Sequence, residues 1–235
     1  MNQFRAQFTE KIPRVGAVES FRFKARGLVT FLAGQFIRVI FDETNKGNKD
    51  LNKYLSFSSA PGKDYIEVTK RLSESAFSGR LRALKPSEEV FFEGPLGNCL
   101  PGEQDTKVCF LAGGIGITPV ISIIEDIVIH NRAVDVMVFY SNRTEEIAFK
   151  HELDAWRTQY CTLRVLHTVT DCQPTQAHCV FGTIDKELIV ANLDDVRERT
   201  FFIFGPPGMV AAMKKVCIEA GIPEQRIKTE GFLGY

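Results

Sequence analysis

Metal-binding spacing is the first thing this 235-residue chain lacks. Its six cysteines, at positions 99, 109, 161, 172, 179 and 217, form no C-x-x-C pair and none of the close groupings that hold an iron–sulfur cluster. His167, Cys172, His178 and Cys179 lie near one another, but ligand pairs at zinc-finger spacing are missing. Reduced, mostly structural thiols and no metal are therefore expected. There is no excess of either charge: 29 basic residues balance 29 acidic ones, which argues against a broad nucleic-acid footprint. No uninterrupted apolar run approaches the roughly 20 residues that cross a bilayer. The first eleven residues lack the apolar centre of a signal peptide, so a cytoplasmic protein with no transmembrane segment is the default expectation. No internal repeat or low-complexity stretch is visible.

What is there is ample core: 44% of residues are hydrophobic and 25% charged, as in ordinary globular proteins. The two halves differ in rhythm. Residues 35–41, 65–72 and 89–93 read as short strands parted by turn clusters at 45–48 and 61–64, which suggests a small antiparallel barrel. In the second strand Ile66, Val68 and Leu72 fall on one side. One helix, 78–85, interrupts them, with Ser78 suited to cap it and Pro86 to stop it. After Pro101-Gly102 strands at 107–112, 134–140, 163–169 and 201–204 alternate with helices near 119–131, 145–158 and 207–220. That alternation predicts a parallel sheet covered on both faces. The expected division is residues 1–101 and 102–235.

The most informative stretch joins the strand at 107–112 to the following helix through Gly113-Gly114-Ile115-Gly116-Ile117-Thr118-Pro119. Glycines turn sharply and let a ligand lie against bare backbone. The helix start behind them offers unpaired N–H groups to a phosphate. The Lys-Ser/Thr ending of an NTP-hydrolysing loop is absent, which disfavours phosphoryl transfer.

A second segment, Lys53-Tyr54-Leu55-Ser56 followed by small residues and Pro61, resembles the Arg-x-Tyr-Ser segment of the ferredoxin–NADP reductase superfamily of flavoproteins. Lys53 stands in the Arg place, Leu55 in the Tyr place and Ser56 in the Ser place. The resemblance implies that Lys53 pairs with the flavin pyrophosphate, that Ser56 hydrogen-bonds near the reactive N5, and that residue 55 covers one ring face. Lys lacks the planar two-pronged contact of Arg, and Leu offers no aromatic stack, so Tyr54 would share the holding. Val68, Thr69 and Lys70 fall where the family runs a strand along the isoalloxazine edge. Ala76-Phe77-Ser78-Gly79 partly matches its Gly-x-x-Ser turn, making Ser78 a phosphate ligand.

In the second half Gly113, Gly114, Gly116, Ile117, Thr118 and Pro119 resemble the family's Gly-Gly-x-Gly-x-Thr-Pro, which implies a turn facing the pyridine nucleotide with the Thr118 hydroxyl near the nicotinamide. Ser141 and Arg143 end the next strand, where either could hold a 2′-phosphate. Phe204-Gly205-Pro206-Pro207-Gly208-Met209 resembles Cys-Gly-Pro-x-x-Met, with Phe204 replacing the cysteine, which predicts slower chemistry, and Gly205, Pro206 and Met209 retained. Glu230 with Phe232 matches a Glu-x-aromatic register near the C-terminus, implying an aromatic ring against the flavin; Tyr235 is the other candidate ring, and Phe232 is preferred.

The resemblance thus implies a two-domain β plus α/β chain. Its N-terminal part would be a six-stranded antiparallel FAD-binding barrel, and its C-terminal part a doubly wound parallel domain for NADPH or NADH. The implied activity is hydride transfer from NAD(P)H to flavin N5, with Ser56, Thr118, Glu230 and Phe232 at the chemistry. Electrons would pass to a separate acceptor such as a ferredoxin, a flavodoxin, an oxygenase or a small oxidant. A free-flavin reductase and a flavin-binding subunit of a larger electron-transfer complex are the alternatives.

Overall fold

The computed structural model describes residues 2–232. The chain divides into two compact units: residues up to Leu100 with Ile121–Asp126, and the remainder from Pro101 onward.

The first unit is one antiparallel sheet of six strands: β1 (Gln3–Val15), β2 (Val18–Ala25), β3 (Phe36–Ile40), β4 (Asn52–Ser56), β5 (Ile66–Arg71) and β6 (Glu89–Leu96). Their order is β4-β3-β6-β1-β2-β5, and every neighbouring pair is antiparallel. The sheet curls until its outer strands meet, through a bridge between Phe57 and Val68 and a bond from the Ser58 N–H to the Glu67 carbonyl (2.8 Å). Curling encloses an aromatic core in which the Phe23 ring meets Phe92 edge-on at 5.1 Å and Phe8 at 5.7 Å. Such pairs add roughly 0.5–1.5 kcal/mol each beyond burial.

Strand β5 departs from the simple alternation expected of it. Ile66 and Val68 are buried, but so are Glu67 and Thr69. The polar face is satisfied from within: Glu67 accepts from Arg14 Nη2 (2.9 Å) and Arg22 Nε (2.8 Å), and the Thr69 hydroxyl bonds those of Ser20 (2.6 Å) and Ser58 (2.7 Å). Buried polar groups persist when paired in this way. Strand β6 also runs on through Gly94 and Pro95, where sequence reading ended it. The helix of this unit, α1 (Ala76–Ala83), begins two residues early because Ser75, not Ser78, caps it.

In the second unit β7 (Lys107–Gly113), β8 (Asp135–Asn142), β9 (Leu163–Val169), β10 (Cys179–Phe181), β11 (Thr200–Gly205) and β12 (Ile227–Gly231) form a wholly parallel sheet in the order β10-β9-β8-β7-β11-β12. Successive strands step away from β7 on one side, and β11 and β12 lie on the other. The order therefore reverses at β7, the place where doubly wound sheets bind ligands at their carboxyl ends. Four helices connect them: α2 (Thr118–Ile129), α3 (Lys150–Gln159), α4 (Lys186–Asn192) and α5 (Pro207–Glu219). One sheet face packs Leu111, Phe139, Phe201 and Ile203 with Ile189 of α4 and Met213 and Cys217 of α5.

Helix α3 starts at Lys150, five residues later than expected. Glu145 is spent on a turn, accepting from the Thr175 and Gln176 N–H groups (both 3.0 Å), and Phe149 sits at φ 61° before the helix. Strands β10 and β12 and helix α4 were not anticipated; the two strands span three and five residues, too short for periodicity to register. Among the described residues no helix is long and apolar enough to cross a membrane.

Candidate functional site

In the first unit the candidate residues lie on β4, β5 and α1. Successive β4 residues alternate, so Lys53 and Leu55 share one side and Tyr54 and Ser56 the other. Leu55 packs against the aromatic core, and Ser56 is buried. Tyr54 is 57% exposed, edge-on to Phe36 at 5.8 Å, with the Arg38 guanidinium over its ring at 5.5 Å. On β5 the Val68 side chain is fully buried in the core, the Thr69 hydroxyl belongs to the buried chain described above, and Lys70 is also buried. Burial pushes the Lys70 ammonium below the ordinary lysine range, and the positive charge of Lys53 pushes it further. Two cations on the meeting strands of the curled sheet are an arrangement that a diphosphate relieves.

At the start of α1 the hydroxyls of Ser73, Ser75 and Ser78 form a cluster. Ser75 Oγ accepts from the Ser78 N–H (3.3 Å), and the buried Ser78 Oγ accepts from the Ser73 N–H (3.1 Å) and from Ser75 Oγ (3.1 Å). The cap predicted at Ser78 is thus supplied by Ser75, with Ser78 held one turn inside. The space a side chain would take at Gly79 is open.

In the second unit the glycine turn follows β7 as a tight turn, Gly114–Ile117, before α2 opens at Thr118. A Cβ at Gly116 would sit 2.4 Å from the Phe204 carbonyl oxygen, and one at Gly113 would sit 2.0 Å from Met209 Sδ. Gly116 is therefore demanded by the backbone of the turn between β11 and α5, whereas Gly113 faces the Met209 side chain of α5. Gly114 differs: its φ is +53° and nothing lies within 4 Å of where its Cβ would be. That open backbone is the cradle a nucleotide phosphate fits. The Tyr140 hydroxyl fixes it from below by donating to the Gly114 carbonyl (3.0 Å). Thr118 Oγ1 donates to the Ile115 carbonyl (3.1 Å), which uses its proton and leaves its lone pairs. Ile117 and Pro119 are buried behind it.

Ser141 is half-buried on β8, in register with Gly113 and Thr168. Arg143, whose side chain is 88% exposed, is not available as a bare cation: its Nε donates to Asp171 Oδ2 at 2.7 Å. Across the sheet, Gly205 and Pro206 lead into α5, where Met209 abuts Gly113. Glu230 pairs in register with Phe204, and burial pushes its carboxyl up to about 7; one of its oxygens, Oε1, is buried with no hydrogen-bond partner. The Phe232 N–H bonds to the Gly205 carbonyl (3.0 Å), and its ring stacks on that of Phe204, 6.5 Å away and 20° from parallel. The residue replacing the expected cysteine thus supports the C-terminal aromatic. Tyr235 lies outside the described residues. His167, which lies near Cys172 and Cys179 in sequence, is buried on β9 with neither ring nitrogen hydrogen-bonded, and burial lowers its pKa to about 4. Among the described residues no three His, Cys, Asp or Glu side chains group to hold a metal.

Sequence reasoning missed Tyr140 as the support of the turn, and it missed Asp171. An acidic residue two positions beyond a strand was the only available signal for the latter.

Residues 110–215 match the family described as oxidoreductase NAD-binding domain. NADH-cytochrome b5 reductase 2 of Debaryomyces hansenii is 29% identical over 175 residues, covering 72% of this chain and 58% of the relative. The chain spans about 60% of the length of the curated relatives it first matches. Among solved structures, the cytochrome b5 reductase domain of Ulva prolifera nitrate reductase superposes with a TM-score of 0.84 at 20% identity, covering 97% of both chains. Ferredoxin–NADP+ reductase of Plasmodium falciparum gives 0.78 at 18% identity, covering 98% of this chain and 97% of that one. Residues 110–215 therefore match an oxidoreductase NAD-binding domain, and the chain shares its fold with these two solved structures.

Proposed function

We propose that this chain is an NAD(P)H-dependent flavoprotein reductase that delivers electrons to a protein-borne acceptor. Residues 1–101 hold FAD and residues 102–235 hold the nicotinamide dinucleotide. The observation that carries this reading is the open Gly114 backbone at the reversal point of the parallel sheet, locked in place by Gly113 and Gly116. The first unit fits a second dinucleotide through the Lys53–Lys70 cation pair and the capped start of α1. Flavin, when bound, supplies the conversion of a two-electron donor into electrons delivered singly or in pairs.

The chain's own residues bind and orient. Lys53 and Lys70 neutralise diphosphate charge, and Ser56 offers a hydroxyl at the end of β4. The turn and the helix dipole of α2 hold phosphate, while Thr118 keeps acceptor lone pairs beside the turn. Glu230, pushed up to about 7, both holds and releases a proton near neutrality. Phe232 presents an aromatic face whose angle Phe204 sets. The Debaryomyces hansenii relative is a reductase of cytochrome b5, which favours a haem protein or an oxygenase component as acceptor.

Anaerobic stopped-flow mixing of the FAD-loaded protein with NADH and with NADPH tests the reading. Bleaching of the flavin absorbance by at least one of them is expected. Bound flavin that neither donor bleaches overturns it. Flavin lost on dialysis, with activity restored by added free flavin, would instead assign the free-flavin reductase.

A further inference from the structure

The glycine turn is shaped by a residue outside it. Tyr140, on β8, stands in register with Ala112 of β7, and registered residues of a parallel pair share a face. Its ring is fully buried on that face and runs past Ala112 to the turn, where the hydroxyl donates to the Gly114 carbonyl at 3.0 Å. Gly114 lies two residues beyond Ala112, roughly 7 Å at the rise of a strand, so a serine or threonine hydroxyl at position 140 would fall short. His167, in register on the other side, has its ring 5.8 Å from that of Tyr140. Neither of its nitrogens is hydrogen-bonded, so it supports the ring without sharing the hydroxyl.

A trans peptide plane carries its C=O and its N–H on opposite sides. Drawing the Gly114 carbonyl down to Tyr140 therefore turns the Ile115 N–H away from it. The next carbonyl, of Ile115, is held as well: it accepts from both the N–H and the hydroxyl (3.1 Å) of Thr118. Gly114 is at φ +53°, with nothing within 4 Å of its Cβ position, and the residues after it are helical. Successive N–H groups in such a turn form an anion-binding concavity. Resting on the reductase reading above, we infer that Tyr140 is a positioning residue for that concavity. Its hydroxyl presets the peptide after Gly114, so a dinucleotide phosphate meets a donor already aimed. Such preorganisation acts on affinity and leaves the rate of hydride transfer alone.

The test is calorimetric titration of the FAD-loaded protein with ADP, which needs no turnover and finds the flavin site already filled. Tyr140→Phe keeps the ring and removes the hydroxyl. ADP affinity should then fall about tenfold, the equivalent of one lost hydrogen bond. Amide exchange should quicken at residues 114–117 and not elsewhere on β7 or β8. In stopped flow the donor concentration for half-maximal bleaching should rise about tenfold, with the limiting rate unchanged. His167→Leu removes the ring contact and leaves the hydroxyl, so ADP affinity should stay within about twofold. An ADP affinity that Tyr140→Phe leaves unchanged overturns the role of Tyr140 alone. So does an equal loss in His167→Leu, which would make the packing of the ring, rather than its hydroxyl, the support. Failure of the unaltered protein to bind ADP, with the fold intact by circular dichroism, overturns the reductase reading and this inference together.

Discussion

In the function proposed above, the two units meet phosphate by opposite means. In the first, the anion-binding character resides in side chains: the ammonium groups of Lys53 and Lys70 and three serine hydroxyls at the start of α1. In the second it resides in backbone, a turn whose Gly116 is required because the β11–α5 turn leaves no room for a Cβ there, while Gly113 faces the Met209 side chain. Side-chain groups are added and removed one at a time, so that grip should weaken in steps. A backbone cradle depends on close approach of two turns and should fail all at once. The same contrast explains why the second unit carries the clearer sequence signature: a Cβ clash excludes nineteen residues, whereas a positive charge is met by Lys or Arg.

Substitutions in each unit sharpen or break that contrast. Gly116→Ala should have the largest effect, because its Cβ meets the Phe204 carbonyl, and backbone of a central strand cannot give way. We expect a loss of about 3 kcal/mol, read as a drop of roughly 10 °C in thermal midpoint, together with loss of 5′-AMP binding. Gly113→Ala meets only the flexible Met209 side chain, so Met209→Ala should rescue it and should not rescue Gly116→Ala. Equal rescue of both would show that the cradle is not a backbone device.

Lys70→Met comes next. Losing one charge-assisted contact costs about 1.5–3 kcal/mol of binding, so FAD affinity should fall ten- to a hundredfold in a fluorescence titration of the apoprotein. A fall in stability with unchanged FAD affinity would make Lys70 structural. Ser75→Ala is the mildest. Loss of the cap should cost about 1 kcal/mol, visible as faster hydrogen exchange at the Ser78 amide, with FAD affinity reduced only a few-fold.

In the second unit the fold was legible where periodicity was long, whereas the 13-residue β1 and the eight-residue β2 of the first unit were not read as strands. Strand β9 fell on residues 163–169 as expected, and β7, β8, α2 and α5 within two residues. It was illegible where a single polar contact set the boundary. The start of α1 moved to Ser75 because that hydroxyl, rather than Ser78, reaches the first-turn N–H, and the start of α3 moved because Glu145 bonds residues 175 and 176. The candidate site divides in the same way. Gly113 to Pro119 was readable as a motif, whereas the pairing of Arg143 was not, since Asp171 lies 28 residues further on.

The sequence by itself determined the class of the chain: an antiparallel β unit followed by a parallel α/β unit with a glycine turn after its first strand. Those features are local, written in hydrophobic period and in residues with special backbone freedom. Tertiary structure alone decided what each motif residue touches. Phe204 came to brace Phe232, Thr118 to spend its proton on Ile115, Glu230 to lie buried with an unpartnered oxygen, and Arg143 to meet Asp171. The physical reason is that burial and pairing belong to neighbours across the sheet, and those neighbours are set by strand order rather than by spacing along the chain.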